Sequence, residues 1–160
     1  MIKENKVVLV ILIIAVVVII GLIISVCFSI LPYKSGFTKG TVSINGKIFK
    51  VEVAKSAEAQ AQGLQGREKL AENQGMLFAF EEKRYHNFWM DGMKIPLDII
   101  WIDDNKIIDI TPNVPAPTEN QTDLPIYNPP QEVNYVLEIN AGLAEKNNFK
   151  KGDSIQINIK

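Results

Sequence analysis

From Val7 to Ile24 the chain runs through Val, Ile, Leu and Ala, with Gly21 its one interruption and no polar side chain. Phe28, Ile30 and Leu31 prolong the run until Pro32, which cannot donate to a helical ladder, ends it. About twenty apolar residues, each rising 1.5 Å, span the roughly 30 Å hydrocarbon core of a bilayer. The pattern predicts a single-pass transmembrane helix over residues 7–31, an uncleaved signal anchor, behind a cytoplasmic tail of residues 1–6. A cleaved signal peptide has a shorter apolar core and a small-x-small site. Lipoprotein processing at Cys27 needs a small residue where Val26 stands. Lys3 and Lys6 outweigh Glu4 in the short tail, while Lys34 and Lys39 flank the other side. A short basic tail on a first helix stays cytoplasmic, so the C-terminal portion is expected to be extracytoplasmic, tethered to the cell membrane.

After a tether over residues 32–40, the apolar period changes from all-round to alternate. Residues 41–44 and 47–53 flank Asn45-Gly46, a type I′ hairpin signature. Ser56 is placed to cap a short helix rich in Ala57, Ala59 and Ala61, which Gly63 and Gly66 limit to about two turns. Strands are predicted over 76–80, 85–90, 95–103, 106–111, 134–140 and 154–159, with a second short helix over 142–148. A loop over 112–131 carries Pro112, Pro115, Pro117, Pro125, Pro129 and Pro130, and loops of this length are more often functional than idle. Strands far outnumber helices and the connections are hairpin-sized. The fold class expected for residues 41–160 is mainly β: an antiparallel β-sandwich, jelly-roll-like, or a partly closed barrel, with two short helices.

Composition narrows the chemistry. The chain holds 17 basic and 18 acidic side chains, in no block of like charge. Nucleic acid is excluded as a partner because phosphate binding needs a basic face. Cys27 is the one cysteine and His86 the one histidine, so no thiol nucleophile or His/Cys metal cluster is available to the domain. No cofactor is expected, since no glycine-rich phosphate loop follows a strand. Ser43, Ser56 and Ser154 lie in no nucleophile-elbow sequence.

Alternation assigns faces to the remaining polar residues. Along 85–91, Trp89 shares a side with Tyr85, Asn87 and Asp91, while Phe88 and Met90 point to the core. Asp98 shares a face with Ile100 and Ile102, where a carboxylate must be paired or hydrogen-bonded. Arg67, one of two arginines, is its expected partner. Glu138 and Asn140 lie with Val136, opposite Tyr135, Leu137 and Ile139.

Four blocks read together: Gly63-Leu64-Gln65-Gly66-Arg67, Gly75-Met76-Leu77-Phe78-Ala79-Phe80, Phe88-Trp89-Met90 with Ile95-Pro96-Leu97-Asp98-Ile99-Ile100-Trp101-Ile102-Asp103, and Tyr135-Val136-Leu137-Glu138-Ile139-Asn140-Ala141-Gly142. In order and spacing they resemble a widespread bacterial and archaeal family of unknown function, over about residues 41–160. The resemblance implies a mainly β, jelly-roll-like domain, frequently carried behind a signal or anchor segment, and implies no activity. The family pattern includes Arg67, Trp89, Asp98, Glu138 and Asn140, consistent with a shared polar pocket or a shared folding network. Where many members carry a basic residue after Phe-Trp-Met, this chain has Asp91.

The reading that joins these observations is a membrane-anchored binding module for a small ligand, a polysaccharide or an envelope protein, held to the lipid bilayer through residues 7–31. Two alternatives stand beside it. One is a hydrolase-type enzyme using Asp98 and Glu138, which requires the two carboxylates to face one cleft. The other is a structural or assembly module of the cell envelope.

Overall fold

The computed structural model describes residues 12–22 and 36–160. Residues 12–22 are helical and their apolar side chains are exposed. The anchor read over 7–31 extends on both sides into residues outside those described. Among the described residues, no helix is long and apolar enough to cross a membrane. Residues 36–160 form a compact unit of their own.

Seven strands build that unit: β1 (Phe37–Ile44), β2 (Lys47–Ala54), β3 (Gln74–Arg84), β4 (Leu97–Asp103), β5 (Lys106–Val114), β6 (Val133–Asn140) and β7 (Ile155–Ile159). Two short helices join them, α1 (Ala57–Gln62) between β2 and β3, and α2 (Leu143–Lys146) between β6 and β7. They form one sheet in the order β5-β4-β6-β3-β2-β1-β7. The ladders are antiparallel except between β2 and β3, which run parallel because the α1 crossover separates them.

A single curled sheet corrects the two-layer sandwich and jelly-roll expectations. Its edge strands meet at one end, where Ile107 N–H donates to Asp153 O (3.0 Å), Ile155 N–H to Asn105 O (2.8 Å) and Gly152 N–H to Ile107 O (2.8 Å). Beyond this contact β5 and β7 form no ladder with each other, so the result is a half-closed barrel.

Local chemistry explains the turns. Asn45 and Gly46 take φ of 50° and 83°, as a type I′ hairpin requires. Ser56 caps α1 by accepting from Ala59 N–H at 3.2 Å. β1 begins at Phe37, within the stretch read from sequence as tether.

The central strands are buried on both faces. The concave face packs Val42, Phe49, Val51, Leu77, Ile100 and Leu137 beneath α2 and Phe149. The convex face packs Met76, Phe78, Ile99, Trp101 and Val136 beneath α1, Leu64, Met90 and Met93. Gly75 sits where a Cβ would lie 2.7 Å from the Glu138 carbonyl oxygen, so only glycine lets β3 and β6 approach to their ladder distance.

The expected strand over 85–90 does not form. Its one backbone pairing is an isolated bridge between Phe88 and Tyr127, with N–H···O distances of 2.9 and 2.8 Å. The aromatic content that mimics a strand docks the segment by side chain instead. Phe88 stands edge-on to Phe78 (centroids 4.9 Å apart) and to Trp101 (5.5 Å). The proline-rich loop supplies Tyr127 and so holds this segment against the sheet. Pro112 falls within β5, an edge strand, where its missing N–H is tolerated.

Candidate functional site

The convex face carries a cleft of about 290 Å³ between α1 with its following turn and the docked 86–93 segment. Gln60, Gln62 and Gln65 line one wall, and His86, Asn87, Trp89 and Asp91 the other. Phe78, Phe80, Phe88 and Met93 make its interior apolar, and Glu138 reaches it from β6. Gly66 N–H donates to Gly92 O at 2.9 Å, tying the two walls together. Trp89 keeps 53% of its surface exposed although Phe88 and Met90 beside it are packed inward.

Glu138 is 5% exposed, and its carboxyl makes no hydrogen bond to the protein among the described residues. Its cross-strand neighbours are Met76 on β3 and Ile99 on β4, both apolar. Burial alone pushes its pKa up from 4.5 to about 8, so the group is largely a neutral acid at pH 7. His86 stacks on Phe80, ring centroids 3.5 Å apart and 12° from parallel. Its Nε2 is buried without a hydrogen-bond partner. Burial, and then the charge of Arg84, hold its pKa below the usual histidine value against the backbone of Glu82 and Val133. The ring is therefore neutral at pH 7.

Asp98 is fully buried but belongs to the other face. Its Oδ1 accepts from Asn113 N–H (2.8 Å) and Gly142 N–H (3.0 Å), and its Oδ2 from Ala144 N–H (2.8 Å). The expected Arg67–Asp98 pair does not exist. Arg67 instead grips Glu52 of β2 through two hydrogen bonds of 2.7 and 2.6 Å. The error lay in the choice of acid: Glu52 stands on the strand beside β3, close to where the chain leaves α1. Asn140 donates from Nδ2 to Leu70 O at 2.8 Å and so pins the same loop. Thus only Glu138 and Trp89 of the five sequence candidates share the cleft. Arg67 and Asn140 fasten a loop, and Asp98 ties β4 to β5 and α2.

Asp98 lies opposite Ile139 and Glu138 opposite Ile99, so the two carboxyl groups point to opposite sides of the sheet. A two-carboxylate hydrolytic centre cannot be assembled from them. The glutamines were missed because they lie on the short helix α1 and the turn after it, where strand alternation assigns no face, and His86 because alternation placed it on the core side of a strand that does not form. Three glutamines within six residues around Gly63 were the available signal. A second depression of about 450 Å³, lined by Lys39, Lys50, Glu52, Gln74 and Lys160, holds no buried group lacking a partner.

Fold and cleft together define a half-closed β-barrel domain with an acid-floored cavity on its convex face. The chain belongs to the DUF192 family, described as Uncharacterized ACR, whose pattern matches residues 40–157. Two crystal structures are similar to it, each with a TM-score of 0.66. One is a protein of Sinorhizobium meliloti 1021, provisionally called a transcription regulator, 30% identical over 75% of this chain and 92% of its own. The other is a protein of unknown function from Novosphingobium aromaticivorans DSM 12444, 31% identical over 75% of this chain and 84% of its own. No curated protein matches.

Two stability measurements check these assignments. Asp98→Ala should cost about 3–5 kcal/mol, because three backbone N–H donors, that of Ala144 buried, lose the acceptor at the strand junction. Arg67→Met should cost about 1 kcal/mol or less, the value of a half-exposed ion pair. Combining Arg67→Met with Asp98→Leu should recover nothing, and denaturant unfolding of the three variants decides it. An Asp98→Ala loss below about 1 kcal/mol would contradict the role given to this carboxylate.

For Glu138 the sign follows from linkage. Between pH 4.5 and about 8 the folded protein holds a proton that the unfolded chain has released, so stability falls as pH rises through that window. Glu138→Gln removes the effect. The variant should match wild type at pH 4 and exceed it by on the order of 3 kcal/mol at pH 8. An equal difference at both pH values would show that Glu138 is not a buried acid.

Proposed function

We propose that this protein is a membrane-tethered, extracytoplasmic binding module whose ligand site is the cleft between α1 and the 86–93 segment. The observation that carries the reading is Glu138, a buried carboxyl without a protein partner, at an apolar cavity whose mouth holds a half-exposed tryptophan. Folding desolvates such a group only at a cost, and a ligand that hydrogen-bonds to it offsets part of that cost. The volume fits one ring or a short branched group rather than a long chain segment. A small ligand is therefore favoured over a polysaccharide run or a protein surface. Regulation of transcription, the provisional role of one similar protein, finds no support in a chain of net charge −1 without a basic block.

Titration of the full-length protein with a library of ring-sized fragments, followed by amide chemical shifts, tests the site. Perturbations should cluster on Gln60–Gln65 and His86–Met93, and Trp89→Ala should weaken the hits about tenfold, the scale of one aromatic contact. Shifts centred on Lys39, Lys50 and Gln74 would relocate the site.

The tether is supported by the apolar run of residues 7–31 behind a basic tail. A Lys160→Cys variant that also carries Cys27→Ser should react with a membrane-impermeant thiol reagent in intact cells. Labelling only after lysis would reverse the orientation.

A further inference from the structure

Several acidic side chains elsewhere in the domain are countered. Asp98 receives three backbone N–H groups, Glu52 receives Arg67, Asp103 and Asp104 share Lys83, and Glu72 meets Lys146. The cleft differs from these sites. Glu138 and Asp91 both line it, and no lysine or arginine does. Every element packed around Glu138 repeats the pattern: β3 presents Met76, β4 presents Ile99, α1 presents Gln60 and Gln62, and the docked segment presents His86 and Asp91. An anionic ligand would meet two acids and no counter-charge. A neutral ligand would leave the acid at the floor with hydrogen bonds alone.

Resting on the assignment of the cleft as the ligand site, we infer that its ligand is an organic cation, a protonated amine or guanidine carried on an apolar or aromatic body. Its charged head is countered by Glu138 at the floor. Its body lies among Phe80, Phe88 and Trp89, where aromatic rings favour cations as well as apolar surface. Asp91, on the wall, adds long-range attraction at the entrance.

Proton balance gives the inference a signature. The free carboxyl holds its proton up to about pH 8. Entry of a cation stabilises the carboxylate, so one proton leaves Glu138 for the solvent as the ion pair forms. Affinity must then rise by up to about tenfold per pH unit between pH 6 and 8 and flatten above. A neutral ligand using the protonated acid as donor would show the opposite slope.

Calorimetry on the full-length protein in detergent tests this with phenethylamine, its neutral analogue 2-phenylethanol and the anion 3-phenylpropionate. Phenethylamine should bind at least tenfold more tightly than either analogue at pH 8, and release close to one proton at pH 7 in buffers of different ionisation enthalpy. Glu138→Gln should lose tenfold or more and abolish the pH slope. Trp89→Ala, at an exposed position, should weaken binding while keeping the slope. Equal binding of 2-phenylethanol that remains Trp89-dependent would overturn the cationic ligand but leave the cleft as the site. Phenethylamine binding indifferent to both variants would overturn the site as well. Absence of saturable phenethylamine binding into the millimolar range would also overturn the inference.

Discussion

The half-barrel depends on a single carboxylate that never meets a cation. Asp98, at the start of β4, gathers the end of β5 through Asn113 and the turn leaving β6 through Gly142 and Ala144. Those contacts aim α2 over the concave face, where Leu143, Ala144 and Phe149 complete the core. Charge-assisted bonds to three backbone donors offset the desolvation of the acid without a salt bridge. Without this junction the ends of β4, β5 and β6 would keep their ladders but lose the hold on the α2 turn above the concave face.

Glu138 is the counterpart on the other face. Both acids are almost wholly buried, both sit in central strands, and they are separated only by the thickness of one sheet. Donors surround one, while the other faces apolar side chains and an open cavity. The first is spent on folding, and the second remains available for chemistry. This asymmetry, rather than any pairing between them, places the proposed ligand site on the convex face.

Much of this was legible in the alternation of side chains. The faces of β4 and β6, including Asp98 with Ile100 and Glu138 with Val136, follow directly from period two. The Asn45-Gly46 turn and the Ser56 cap follow from local backbone preference. Partner choice was not legible, because Arg67 could reach several acids and only the crossover through α1 selects Glu52. The segment 85–90 was misread for a related reason. Its aromatic residues satisfy strand propensity, yet they are held by ring packing on Phe78 and Trp101, and propensity cannot distinguish the two. The α1 wall of the cleft therefore escaped notice, while Trp89 on the other wall and Glu138 at the floor did not.

Gly75 divides the cleft into a fixed part and a variable part. Any side chain there would press on the backbone of Glu138 itself, so the spacing of β3 and β6 is set by steric exclusion. The acid at the floor consequently has one permitted depth. The walls are under no such restraint: the α1 turn and the docked segment are joined by one backbone bond between Gly66 and Gly92, and their side chains project from irregular chain. At the proposed site, substitution at Gln62, Gln65, Asn87 or Asp91 would thus alter the walls without disturbing the acid at the floor.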